Sequence, residues 1–268
     1  MFEEVCEIVI VAGRNLVEKV NSRFTVETKS SDMDLVTEMD KKTEKYITEE
    51  IKRDFPEHAV FGEETVEEIG HDKMLEMLET HPNLWIIDPI DGTTNYVHGL
   101  PGYTISVALY CKGEAALGII YDPVANELFI AERGKGATLN GEAIHVSEQS
   151  SLAESLVSTG VPAKYESDRN HVLEGYVKIA PLTRNVRTFG SAALHCAYVA
   201  TGRLDAFWEW GVNIWDVAAG KLIVEEAGGS VYQLDGNEVQ YEFPHFTCTN
   251  GKIDKEWKET FASIHGFK

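Results

Sequence analysis

Apolar and polar positions alternate along the chain with two periods. Phe2, Val5, Ile8, Val9, Ala12, Leu16 and Val20 recur at helical spacing, which predicts an amphipathic helix over 2–20. Residues 25–28 read as a short strand and 29–32 as a polar loop. A second helix is expected over roughly 40–54, capped by Asp40 or Thr37 and ended by Phe55-Pro56. Residues 59–62 predict a short strand, and the polar stretch 65–82 a loop with a short helix. Strands are then expected over 84–87, 103–110, 115–121 and 127–132, and Asn140-Gly141 marks a hairpin between 137–139 and 142–146.

Beyond this run of antiparallel strands the character changes. Strands at 156–159, 186–189, 204–209, 230–234 and 246–250 alternate with helices at 168–179, 192–200, 215–227 and 252–264. That alternation implies an α/β half following an α+β half. No linker, repeat or low-complexity stretch separates them, so one domain over 1–268 is expected, with a soft internal boundary near 150.

The strand at 84–87 ends abruptly in Asp88-Pro89-Ile90-Asp91-Gly92-Thr93. Pro89 fixes its own φ and biases Asp88 towards extended geometry. Gly92 permits a tight turn or a close approach to a ligand. The motif therefore reads as a stiff corner with two carboxylates at its mouth. By itself it is also readable as a turn whose acids cap the next helix.

Composition adds a constraint. The 268 residues carry 24 Lys and Arg against 44 Asp and Glu, a net charge of −20, which disfavours direct binding to nucleic acid or anionic membranes. No apolar run approaches the ~20 residues needed to span a bilayer. The acidic start of the chain does not read as a signal peptide, and the four dispersed cysteines form no CxxC pair, so a cytoplasmic protein with reduced thiols is expected.

An acidic protein that accepts an anion needs local positive charge, and bound cations provide it. Asp40, Glu63, Asp88 with Asp91, and Asp216 all sit at strand ends or helix starts. Each alone is readable as a cap or a solvated charge. Together they form an oxygen-only donor set, which suits Mg²⁺, Mn²⁺ or Ca²⁺ rather than zinc. A helix starting at Gly92-Thr93 would turn free N–H groups towards an anion. Carboxylate-held cations beside such a start suggest metal-assisted phosphate chemistry, with ions roughly 3.5–4 Å apart clamping an in-line displacement.

These stretches resemble a known family. Trp85-Ile86-Ile87-Asp88-Pro89-Ile90-Asp91-Gly92-Thr93-Thr94-Asn95-Tyr96, continuing to Gly99-Leu100-Pro101, is similar to the first signature of the inositol monophosphatase family. Trp215-Asp216-Val217-Ala218-Ala219-Gly220, continuing to Glu226-Ala227-Gly228-Gly229, is similar to the second. Asp34-Leu35-Val36-Thr37-Glu38-Met39-Asp40 and Gly62-Glu63-Glu64-Thr65 fit the upstream motifs.

The resemblance implies an α/β (α+β) fold, the layered αβαβα sandwich of the inositol monophosphatase and fructose-1,6-bisphosphatase type. It also implies a homodimer, dependence on two to three Mg²⁺ (with Mn²⁺ as a substitute), and inhibition by Li⁺ and Ca²⁺. Glu63, Asp88 and the carbonyl of Ile90 would hold one ion, and Asp88, Asp91 and Asp216 a second, with a weaker third near Glu63. Thr93, bonded to Asp40, would help polarise the attacking water. Gly92 and Thr93 N–H groups would bind phosphate. Ser191, Ala192 and Glu209 would meet the alcohol, Asp216 would lie near the leaving oxygen, and Lys29 would contribute from a loop. Ser191 stands where many members carry Thr and keeps the hydroxyl.

The implied reaction is hydrolysis of a small phosphorylated polyol or sugar, inositol 1-phosphate first. A carboxylate at Glu209 suits a hydroxyl-rich ring and disfavours a second phosphate. The alternatives are 3′-phosphoadenosine 5′-phosphate, fructose 1,6-bisphosphate, histidinol phosphate or NADP. A non-catalytic binding role in transcription or RNA processing is the reading from another class.

Overall fold

The computed structural model describes residues 2–20, 25–28, 35–162, 166–240 and 245–264. Helix α1 (Phe2–Lys19) leads to a small antiparallel pair, β1 (Val26–Thr28) with β2 (Leu35–Thr37). Helix α2 (Glu38–Asp54) starts in a capping box. Thr37 Oγ1 accepts from Met39 N–H at 3.0 Å, and Asp40 accepts from Thr37 N–H at 2.7 Å. Thr37 and Asp40, alternatives in the sequence, thus cap the helix jointly.

Strand β3 (Ala59–Gly62) enters α3 (Glu63–Ile69), and α4 (His71–Thr80) follows. The polar stretch expected to be mainly loop is therefore two helices. Only Glu64, Val66 and Met74 of this pair are buried, which leaves little periodic signal to read. Next come β4 (Asn83–Asp91), the one-turn α5 (Thr93–Val97), β5 (Thr104–Cys111), β6 (Glu114–Asp122), β7 (Glu127–Glu132), β8 (Gly136–Leu139) and β9 (Glu142–Ile144). They form a seven-stranded sheet in the order β3-β4-β5-β6-β7-β8-β9, with β3 parallel to β4 and the other pairs antiparallel.

The chain changes sheet between Ile144 and Leu156. Strand β10 (Leu156–Thr159), α6 (Glu166–Ile179), β11 (Asn185–Arg187), α7 (Ala192–Ala200), β12 (Ala206–Trp210), α8 (Ile214–Glu226), β13 (Ser230–Tyr232), β14 (His245–Thr249) and α9 (Asp254–Ala262) complete the described chain. The second sheet has the order β11-β10-β12-β14-β13, with β10 parallel to β11 and β12, and the remaining pairs antiparallel.

Side-chain alternation sorts these elements into five layers. Trp85 and Ile87 of β4 face Val5, Val9, Leu16, Ile47 and Ile51 of α1 and α2. Leu84 and Ile86, on the opposite face, join α7 and α8 through Cys196, Ala197, Ala218 and Leu222. The far side of those helices meets Phe207 and Phe246 of the second sheet. The sheet's outer face carries Val157 and Trp208, packed against Ile179 of α6 and Trp257 and Phe261 of α9. Helix α8 has apolar residues all round because it lies between two sheets, which explains its lack of an amphipathic pattern. The αβαβα sandwich expected from the resemblance is the observed architecture.

Candidate active site

Strand β4 does not stop at Ile87. It continues to Asp91, with one residue bulged out, because Asp88 pairs with Ser106 while Asp91 pairs with Thr104. Pro89 lacks an N–H for the ladder, and a bulge is where that omission is tolerated. The bulge turns Asp88, buried, to accept from its own Ile90 N–H at 3.1 Å. Gly92 follows with φ 98°, and a Cβ there would stand 2.7 Å from the Gly102 carbonyl oxygen, so only glycine fits.

Thr93 opens α5. Its Oγ1 lies 3.0 Å from the Ile90 carbonyl oxygen and 3.2 Å from Asp40 Oδ1. Asp40 is buried, and its other oxygen accepts from the backbone and hydroxyl of Thr37. Helix α2 therefore presents one fixed carboxylate oxygen to Thr93.

Three further elements bring acids to the same cleft. Glu63 is the first residue of α3, where Gly62 has no side chain to cap the helix. Glu44 of α2 does so instead, accepting from Glu64 N–H at 2.8 Å, Thr65 N–H at 2.9 Å and Thr65 Oγ1 at 2.5 Å. Asp216, in the first turn of α8, accepts from Asn213 N–H at 2.5 Å. Asp91 Oδ2 faces the start of α7 and accepts from Ser191 Oγ at 2.7 Å and Ala193 N–H at 2.6 Å. Glu209, near the end of β12, is hydrogen-bonded by the backbone of Gly160.

The resulting cleft has a volume of ≈ 400 Å³, and its lining includes Glu63, Asp88, Asp91, Asp216 and Glu209. No Lys or Arg is among its described lining residues. Its carboxyl groups are hard to ionise together. Burial raises the pKa of Asp91 to about 6, against the opposing hydrogen bonds from Ser191 and Ala193. Burial, then the charges of Glu63, Asp91 and Asp216, pushes Asp88 well above the usual carboxylate range. Asp216 is raised by burial and then by Asp91, and Glu209 by burial and then by Asp216.

Such a set holds either protons or cations. Among the described residues, no three His, Cys, Asp or Glu side chains are gathered tightly enough to form a finished cation shell. The chemistry of the donors nonetheless fits a hard divalent ion. They are all oxygen, all acidic and short of compensating charge, and Glu63, Asp88, Asp91 and Asp216 are the ones that would hold it.

A sequence model of the inositol monophosphatase family matches residues 1–266. The chain belongs to that family. A fructose-1,6-bisphosphatase/inositol-1-monophosphatase of Thermotoga maritima is 43% identical over 231 residues, covering 86% of this chain and 84% of the relative. A Nus factor SuhB of Pseudomonas aeruginosa is 40% identical over 226 residues, covering 83% and 80%. The solved structure of a Thermotoga maritima IMPase superposes with a TM-score of 0.85 at 39% identity, covering 97% of this chain and 95% of that one. The family and the Thermotoga maritima relatives indicate a phosphatase.

Of the residues singled out in the sequence, Glu63, Asp88, Ile90, Asp91, Gly92, Thr93, Ser191, Ala192, Glu209 and Asp216 all line the cleft. Asp40 stands behind it, reached through Thr93. Lys29 lies outside the described residues. Ser191, expected to meet the alcohol, uses its hydroxyl to donate to Asp91 and to accept from Leu194 N–H at 3.1 Å as the cap of α7. Sequence reasoning missed Glu44 and Asn213. Asn213 carried a readable signal, a cap-type residue three before Asp216. Glu44 carried none, since a Glu in mid-helix reads as a solvated charge.

Proposed function

We propose that the protein is a Mg²⁺-dependent phosphomonoesterase whose first substrate is inositol 1-phosphate. The observation that carries this is the convergence of Glu63, Asp88, Asp91 and Asp216 on one cleft beside the Thr93–Asp40 pair. When bound, Mg²⁺ supplies charge neutralisation for the phosphoryl oxygens and lowers the pKa of the attacking water.

The chain's own residues do the rest. Gly92 and Thr93 receive the phosphate on their backbone N–H groups. Asp40 orients the Thr93 hydroxyl, which in turn orients the incoming water. Asp91 is held by Ser191 and the start of α7, so the acids keep their spacing as charge moves from the attacking to the leaving oxygen. Glu209 and the backbone around Ala192 accept hydrogen bonds from, or donate them to, the hydroxyls of the ring. Glu209 is also the reason for placing a monophosphate first, because a second phosphate would meet a carboxylate.

The second reading is a phosphatase that also takes fructose 1,6-bisphosphate. It is favoured by the two activities in the name of the Thermotoga maritima relative. The Pseudomonas aeruginosa relative is named as a Nus factor, which keeps a binding role in transcription open to a pull-down test.

The deciding experiment is phosphate release from a panel of esters, with Mg²⁺ and with chelator. The expected result is Mg²⁺-dependent release, highest kcat/KM on inositol 1-phosphate, and inhibition by Li⁺. No release from any inositol monophosphate would overturn the proposal, and a higher kcat/KM on fructose 1,6-bisphosphate would select the second reading.

A further inference from the structure

Asn95 lies two residues beyond Thr93, half-buried, with no part in the chemistry above. Its Nδ2 donates to two carbonyl oxygens from different loops, Gly102 and Phe189, each at 2.7 Å. A primary amide has two N–H groups, so both are engaged. One bond runs to the loop entering β5. The other crosses 94 residues of chain to the loop entering α7.

Phe189 is gripped through both of its backbone polar groups. Its carbonyl takes Asn95, and its N–H donates to His195 Nε2 at 2.9 Å. The next residue, Gly190, has φ 84°, and a Cβ on it would stand 2.8 Å from Asn95 Nδ2. The loop thus lies directly on the amide. Ser191 follows and donates to Asp91.

One side of this junction is the corner assigned above to phosphate, and the other carries the residues assigned to the alcohol. Helix α5 is a single turn, too short to hold its own position. We infer that Asn95 is a positioning residue that sets the register between the phosphate corner and the alcohol-side loop. It acts through Phe189 on Ser191 and Ala192 without touching substrate. The assignment of the two sides rests on the proposed function; the tether itself does not.

A tie that only stabilises the fold would, when cut, slow every ester alike. A register device would not. A slipped register loosens the hold of Ser191 on Asp91 for both esters, but an aryl phosphate has no hydroxyls for the alcohol-side loop to meet and so loses less than inositol 1-phosphate.

The test uses the full-length protein and Asn95→Ala, assayed with saturating Mg²⁺ on inositol 1-phosphate and on p-nitrophenyl phosphate. Hydrogen exchange over residues 189–194 is measured in parallel on both proteins. The expected loss in kcat/KM is about 30-fold or more on the inositol ester and under about 5-fold on the aryl ester, so the ratio between them shifts. Exchange at 189–194 is expected to be slow in the wild type and faster in the variant.

Equal losses on both esters, or no loss on either, overturn the inference whatever the exchange shows. Fast exchange at 189–194 in the wild type also overturns it, and needs no folded variant. Should the wild type cleave neither ester, the proposed function fails by itself. Exchange then decides the tether, with unchanged rates in Asn95→Ala counting against it.

Discussion

Ser191 donates its hydroxyl to Asp91 at 2.7 Å, joining residues 100 positions apart. The same oxygen caps α7 by accepting from Leu194 N–H. Ser191→Ala removes both. The cap alone is worth about 1 kcal/mol, so the melting temperature is expected to fall by roughly 2–4 °C. Phosphate release should fall as Asp91 loses its donor. Ser191→Thr keeps the hydroxyl and should retain most of both, as calorimetry and the release assay will show. Equal damage from Thr and Ala would mean that the hydroxyl is not the cause.

Asp88→Asn separates the stability and catalytic consequences of the acid cluster. Asp88 is buried among Glu63, Asp91 and Asp216. Without metal, neutralising it should raise the melting temperature, because a buried charge among like charges opposes folding. With Mg²⁺ the order should reverse, since the wild type gains stability from binding and the variant gains little. Turnover should fall by about 100-fold or more. Melting curves with and without Mg²⁺ test the sign. A variant that Mg²⁺ stabilises as much as the wild type would remove Asp88 from the ligand set.

Asp91 gives the metal-free protein a pH dependence of known sign. Its folded pKa of about 6 lies above the ordinary aspartate value of 3.8. The folded state holds the proton longer, so stability is greatest below the unfolded value and is lost as pH rises through about 6. The loss accrues at up to about 1.4 kcal/mol for each pH step of one between those two values. Mg²⁺ should displace that proton. Calorimetric titration near pH 6 in two buffers of different ionisation enthalpy is expected to show net proton release on binding. Buffer-independent heats would show that the cluster was already ionised.

His195 acts in the opposite direction. Burial lowers its pKa from 6.5 to about 3 while it accepts the Phe189 N–H. Its contribution is fully present above 6.5 and is lost as pH falls towards 3, at the same limiting slope. His195→Gln offers an acceptor without a titration. Melting temperature against pH should therefore fall less steeply below 6.5 in the variant. An unchanged slope would place the acid sensitivity elsewhere.

Glu44 holds the start of α3 and through it Glu63. Glu44→Ala frees three donors and loosens the position of Glu63. The Mg²⁺ concentration for half-maximal activity should rise roughly tenfold, as for other residues that support a metal ligand. KM for the ester at saturating Mg²⁺ should change less. A Mg²⁺ titration of the variant tests this, and an equal rise in both constants would count against a role through Glu63.

How much of this was legible varied with the range of the interaction. The apolar run 84–87 showed a strand, and the structure puts a different core on each of its faces, Trp85 and Ile87 on one and Leu84 and Ile86 on the other. The corner at Asp88 read as a turn because Pro89 and Gly92 are turn residues. The ladder to β5 instead carries the strand to Asp91 through a bulge, a feature set by the partner strand. Helices α3 and α4 were hidden because they bury only Glu64, Val66 and Met74, among exposed charges such as Glu67, Glu68 and Asp72.

The sequence alone determined the local chemistry: the periods of most helices and strands, a cap for α2 at Thr37 or Asp40, the acids around Pro89 and the family motifs that carry the acids. Such features depend on residues within a few positions of one another, so a linear string displays them. Only the tertiary structure decided that Ser191 serves Asp91, that Glu44 supports the helix of Glu63, and that Asn95 ties two loops together. It also decided the direction in which the pKa values of Asp88 and Asp91 move, because a carboxyl pKa depends on burial and on neighbours brought from other parts of the chain.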